Sequence, residues 1–172
     1  TWLGRAAVAT LLPLAWPTTA SAAVTSCTAS IDSFAFGSIS LTSSSPMSGT
    51  VSVYCNTQFV ALTLTVTVKY CLSVGIGTGG AGPMLTPRWM KNPTGESLQL
   101  DLSHDAAHVQ NVGSLFTPSR PPFTGTMTYL SILGLIGSGY AQHTLHARVP
   151  AQPLAAVGSY TSDFAGDHTE LS

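Results

Sequence analysis

Several groupings of side chains in this chain have spacings that chemistry uses. Gly75-Ile76-Gly77-Thr78-Gly79-Gly80 has the G-x-G-x-x-G form of a loop that cradles a dinucleotide pyrophosphate. His104 and His108 stand four apart, the spacing by which one face of a helix presents two imidazoles to zinc. His143 and His146 form a second histidine pair, and serine is abundant enough to suggest a Ser-His-Asp hydrolase. Each chemistry, however, needs a particular element to hold it.

The elements are the wrong ones. A dinucleotide loop must open a helix inside a βαβ unit, whereas Pro83 and Pro87 follow these glycines, so a plain inter-strand loop is expected. Leu98-Gln99-Leu100-Asp101-Leu102 alternates into His104 as a strand, so His104 and His108 fall on a strand end and turn and need not face one way. The zincin base, a Glu beside the first His, is replaced by Asp105. His143 and His146 have odd spacing on a strand and so point to opposite faces. No G-x-S-x-G elbow is present, and the carboxylates are too scattered for a glycosidase pair. Cys71 lies beside Val68 and Leu72 and reads as a buried or paired thiol. Neither a catalytic nor a metal site is expected, and no cofactor.

Period two dominates the rest. Val51, Val53 and Cys55 alternate with polar neighbours, as do Leu62, Leu64, Val66 and Val68. Shorter strands are expected at Thr28–Ile31, Phe34–Ile39, Leu98–Leu102, Met127–Leu133, Gln142–Val149 and Ser159–Phe164, with a buried reading for Tyr129 to Leu133. Glycine, proline and serine clusters separate them, and no helical period interrupts. About seven short strands at this spacing predict an all-β, immunoglobulin-like sandwich.

The opening stretch belongs to no such domain. Arg5, the apolar run Ala6 to Ala15 and the small residues Ala20-Ser21-Ala22 form a secretory signal, expected to span residues 1–22, with the true start missing. The run is too short to span a bilayer. The mature domain, residues 23–172, carries few charges, and the whole chain has only 6 Lys and Arg against 7 Asp and Glu. That balance excludes a nucleic-acid footprint. Export makes disulfides expected among Cys27, Cys55 and Cys71, and an odd count leaves one thiol free or paired outside this sequence.

Ala147-Arg148-Val149-Pro150-Ala151-Gln152 followed by Gly158-Ser159-Tyr160-Thr161-Ser162-Asp163 resembles the hallmark of the spore coat protein U domain, the unit of archaic chaperone–usher pilus subunits. Cys27-Thr28-Ala29-Ser30 with Phe36-Gly37, Gly49 to Cys55, Arg88-Trp89-Met90 and Leu98 to Asp105 are similar to further family segments, in order. The chain departs from the pattern at Val112-Gly113, where Trp-Gly is usual, at Ala147 and Asp163, and in the extra Cys71. The resemblance implies that Cys27 pairs with Cys55, closing a loop worth about 3–4 kcal/mol. It also implies a sandwich lacking a final strand, which a neighbouring pilin subunit or a second pilin domain supplies by strand complementation. A periplasmic chaperone and an outer-membrane usher are the implied assembly partners.

Only Ala23-Val24-Thr25-Ser26 separates the expected cleavage site from Cys27, too short to donate a strand. The expectation is therefore a non-enzymatic pilus tip or adhesin domain, exported through the periplasm to the cell surface and acting in attachment and biofilm formation. The Thr169-Glu170-Leu171-Ser172 ending reads as mid-strand, with a further pilin domain after it. A secreted coat or matrix protein of the same fold is the alternative, and a secreted hydrolase the third. Leu135 and Ile136, at an expected hairpin tip, are the first candidates for an adhesive surface, with Met84, Leu85 and Trp89 a second apolar group.

Overall fold

The computed structural model describes residues 24–32, 34, 36, 40–58, 64–82, 87–113, 120–132, 136–164 and 169–171. The stretch expected to be a signal lies outside them. Among these residues there is no helix, and the strands are β1 (Val24–Ile31), β2 (Ser45–Gln58), β3 (Leu64–Val74), β4 (Arg88–Lys91), β5 (Ser97–Ser103), β6 (Phe123–Ser131), β7 (Ile136–Val149) and β8 (Thr169–Leu171). One sheet runs β1-β2-β7-β5-β4 and the other β6-β3-β8. The order β1-β2-β7-β5 is the A-B-E-D order of an immunoglobulin-like sandwich, and β3 with β8 makes its C–F pair.

Alternation builds the core. Val51, Val53 and Cys55 of β2 and Leu145, Ala147 and Val149 of β7 point inward and are fully buried. Leu98, Leu100 and Leu102 of β5 extend that layer, and Tyr70, Leu72, Val74, Phe123, Met127 and Tyr129 close it from the second sheet. The Cys27–Cys55 disulfide joins residues directly opposite in the β1–β2 ladder. Gly139 sits across from Cys55 on β7, where any Cβ would collide with the Tyr129 ring. That gap lets Tyr129 reach in and share a 2.8 Å hydrogen bond with buried Thr57.

Several expectations are corrected. Phe34 and Phe36 are not in a strand; their rings stack 6.4 Å apart and pack against the core. Ser159–Phe164 is also not a strand, because its hydrogen bonds divide between unrelated segments: Thr161 pairs only with Lys91, and Asp163 turns to Thr78. β6 ends at Ser131 and alternates, burying Tyr129 and Ser131 while Leu130 is 60% exposed, so this strand is half-buried. Cys71 is neither buried nor paired: it is a free thiol, partly exposed on the outer face of β3. The period places it there, since β3 turns Tyr70 and Leu72 inward.

Candidate functional site

The glycine loop and the family hallmark, far apart in sequence, meet at one pole of the sandwich. The Thr78 amide donates to the Asp163 carbonyl at 2.9 Å, the Gly79 amide to Ser162 Oγ at 3.1 Å, and the Asp163 amide to Thr78 Oγ1 at 2.9 Å. Gly77 has φ of 70°, and a Cβ there would lie 2.5 Å from Ser162 Oγ. Glycine is thus required twice over, for conformation and for room. These glycines let two backbones zip together and hold no phosphate loop. Beside them lies a cleft of about 340 Å³, lined among others by Ile31, Phe34, Thr78 and Phe164.

Arg88 anchors this pole, although its sequence context gave no sign of burial. It is 1% exposed. Its Nε donates to the Gly75 carbonyl at 2.8 Å, and one terminal nitrogen donates to the carbonyls of Val74 at 2.5 Å and Val112 at 3.0 Å. Burial, aided by Arg120, pushes the guanidinium down to about 10, against a weaker opposing pull from Asp101, so it stays charged at neutral pH. The Val112-Gly113 variant of the family's Trp-Gly fits here. Val112 is wholly buried and presents its carbonyl to Arg88, and a Cβ on Gly113 would strike the Arg120 backbone.

The Arg148–Gln152 segment is equally structural. Pro150 lacks an amide, so the β7 ladder stops at Val149. The Gln152 side chain takes over the pairing of β5: its Oε1 accepts from the Gln99 amide at 2.8 Å and its Nε2 donates to the Gln99 carbonyl at 3.2 Å. Arg148 bridges to Asp101 at 2.9 Å across the same strands. Asp105 accepts from the amides of Val109 and Gln110 and closes the loop after β5. Those amides hold its carboxyl below the usual range.

The histidines divide as their spacing predicts. His104 lies edge-on to Phe123, 4.4 Å between centroids, and bonds the Pro121 carbonyl. His108 turns away to share a 2.7 Å bond with Ser103. His143 points between the sheets, sharing a 2.8 Å bond with Tyr70 and packing against Phe123 with centroids 4.9 Å apart. His146, on the outer face, meets His108. Among the described residues no group of three or more His, Cys, Asp or Glu is placed to hold a metal ion.

Burial, then His104, lowers the His143 pKa; burial, then Arg148 and His146, lowers that of His108, against smaller contributions from Asp101 and Asp105. Each folded value lies below the unfolded one, so acidification loads protons onto the unfolded chain first. Stability from these groups is therefore complete above about pH 6.5 and falls as pH drops toward the folded values. Thermal denaturation at pH 7.5 and 5 should show a falling Tm in the wild type and a smaller fall in His143→Gln. An equal fall in both would remove His143 as a source.

Only two of the surface residues anticipated from sequence, Ile136 and Trp89, are among the described residues. Leu135, Met84 and Leu85 lie outside the described residues. Ile136 opens β7 on the outer face of the five-stranded sheet and is 65% exposed. Trp89 is half-buried on β4, opposite Gln99. Leu154, 99% exposed in the crossing after β7, escaped sequence reasoning because the proline and glycine around it read as linker chemistry. Several strand edges are open among the described residues, and β6 has no ladder partner there but β3. β1 pairs only with β2, and β3 pairs with β8 only from Leu72 to Val74, leaving Leu64–Cys71 unpaired on that side.

The fold and these sites define a disulfide-stapled, immunoglobulin-like sandwich whose signature residues brace loops and strand ends. A family model, the Spore Coat Protein U domain, matches residues 15–165, and the chain belongs to that family, a structural family of pilus-type domains. No curated protein and no solved structure matches the chain.

Proposed function

We propose that this chain is a non-enzymatic fimbrial subunit, the tip or adhesin domain of an archaic chaperone–usher pilus, that mediates surface attachment and biofilm formation. The observation that carries the reading is the open edge of β3 at Leu64–Cys71, in a domain of a pilus-type family. A row of unpaired backbone groups beside a core is what an added strand completes, first from a periplasmic chaperone and then from a neighbouring subunit or second pilin domain. Val66 and Val68 are only half-buried along this edge, whereas Leu72 and Val74, beside β8, are fully buried. With residues 1–22 removed on export, Val24, Thr25 and Ser26 are committed to the β1–β2 ladder. That arrangement suits a subunit that accepts a strand without passing one on.

Co-expression with an archaic-type periplasmic chaperone tests the reading. A one-to-one complex is expected, with aggregation of the chain produced alone. A soluble monomer that ignores the chaperone would overturn it. For attachment, Leu135→Ser with Ile136→Ser should reduce adhesion of displaying cells to a surface without lowering Tm; a lowered Tm would mark the pair as core instead.

A further inference from the structure

Along its middle the outer face of the β1-β2-β7 layer is polar and carries no charged side chain. From Thr50 to Gln58 on β2 and from Ser138 to Thr144 on β7, every outward side chain is a hydroxyl, an amide or a tyrosine. The outward residues of β1 between Ser26 and Ser30 are hydroxyls as well. At the centre Tyr54 and Tyr140 stand opposite each other, 42% and 56% exposed. Charges border the stretch at Asp32, past the end of β1, whose carboxylate accepts from the Thr50 amide at 3.1 Å, and at the Arg148–Asp101 pair toward the end of β7.

Tyr140 does not project freely. Its hydroxyl accepts from Gln142 Nε2 at 2.7 Å and shares a 2.9 Å bond with Ser52 Oγ. Ser52 and Gln142 form the cross-strand pair next to Tyr54 and Tyr140, so the ring lies along the sheet and leaves a face to solvent. Two hydrogen bonds thus fix an aromatic platform before any ligand arrives, which cuts the ordering cost of binding.

We propose that this face binds a neutral polysaccharide. The C–H face of a pyranose packs on an aromatic ring, whose π surface is electron-rich. Hydroxyls of the same sugar pair with the surrounding Ser, Thr, Asn and Gln groups, which both donate and accept. An apolar protein partner would instead bury those groups unpaired, at a cost for each. An ionic partner would find no counter-charge within the stretch. Seven residues of β7 give a platform about 20 Å long, and three strands make it about 10 Å wide, room for a linear oligosaccharide.

Saccharide binding here gives the proposed adhesin its ligand class, and the two readings fail separately, because chaperone capture does not involve this face. The test is depletion of the full chain from solution by microcrystalline cellulose, chitin and curdlan, a linear β-glucan. Retention on at least one is expected, weakened at least about tenfold by Tyr140→Ala and several-fold by Tyr54→Ala or Tyr140→Phe. Raising NaCl from about 0.1 to about 1 M should leave retention unchanged, since no charge pair is screened. Tm should stay near wild type, because both tyrosines lie on the solvent face, outside the core. No retention on any of the three matrices would overturn the proposal. So would equal retention of the tyrosine variants, or binding that salt abolishes. A large fall in Tm with retention unchanged would assign the tyrosine pair to sheet stability alone.

Discussion

Arg88→Met is expected to lower the stability of the domain by about 3–5 kcal/mol, the cost of leaving buried polar groups without their charged partner. Methionine fills much of the same volume, so the loss comes chiefly from the orphaned carbonyls of Val74, Gly75 and Val112. Those carbonyls belong to the end of β3, the glycine loop and the segment before β6, which no other described side chain joins in this way. With total stabilities of about 5–15 kcal/mol, such a loss is a large fraction of what holds a domain folded. Chemical denaturation should show a lower midpoint with little change in slope. Arg88→Lys should fall between, because an ammonium lacks the planar fork that serves several carbonyls at once. A methionine variant within about 1 kcal/mol of wild type would mean that the guanidinium is tolerated at this site and does not brace it.

Removing the disulfide, as Cys27→Ala with Cys55→Ala, should cost about 3–4 kcal/mol from the entropy of the reopened loop. The bridge spans 28 residues and pins an edge strand, β1, that has a partner on one side only among the described residues. Hydrogen exchange should therefore rise first in the β1 amides, ahead of β2 and β7, which have neighbours on both sides. Reduction by dithiothreitol should reproduce the loss in the wild type and leave the double variant unchanged. The untouched Cys71 thiol gives the control: Cys71→Ser should be close to neutral, since that side chain sits on the outer face. Uniform exchange across all strands of the double variant would show that the bridge stabilises the whole domain and not β1 in particular.

Much of this architecture is a local property of the sequence. The alternation of Val51, Val53 and Cys55, and of Leu98, Leu100 and Leu102, already states which side chains share a buried face, because a strand's side-chain period is two. The odd spacing of His143 and His146 likewise sends one inward and one outward whatever the strand's neighbours are. Pro83 and Pro87, four apart after the glycine loop, disfavour a continuous helix there, because a proline inside a helix removes an amide and clashes with the preceding turn. The family resemblance, carried by short motifs in order, names the fold and the Cys27–Cys55 pair.

Tertiary structure alone decided the partners. Phe34, Phe36 and Ser159–Phe164 have strand-like composition, yet their backbone groups and rings find partners outside any ladder. Composition counts candidates, but a strand exists only where a neighbour supplies matching donors and acceptors. Arg88 looks like any surface arginine until β3, the glycine loop and Val112 converge on it from 13 to 24 residues away in sequence. The Tyr54–Tyr140 platform is equally invisible in the linear chain, since the register of β2 against β7 brings together residues 86 positions apart. Periodicity fixes a residue's face locally; which residue stands beside it is settled by long-range pairing, and the signature motifs and the proposed saccharide face both depend on that pairing.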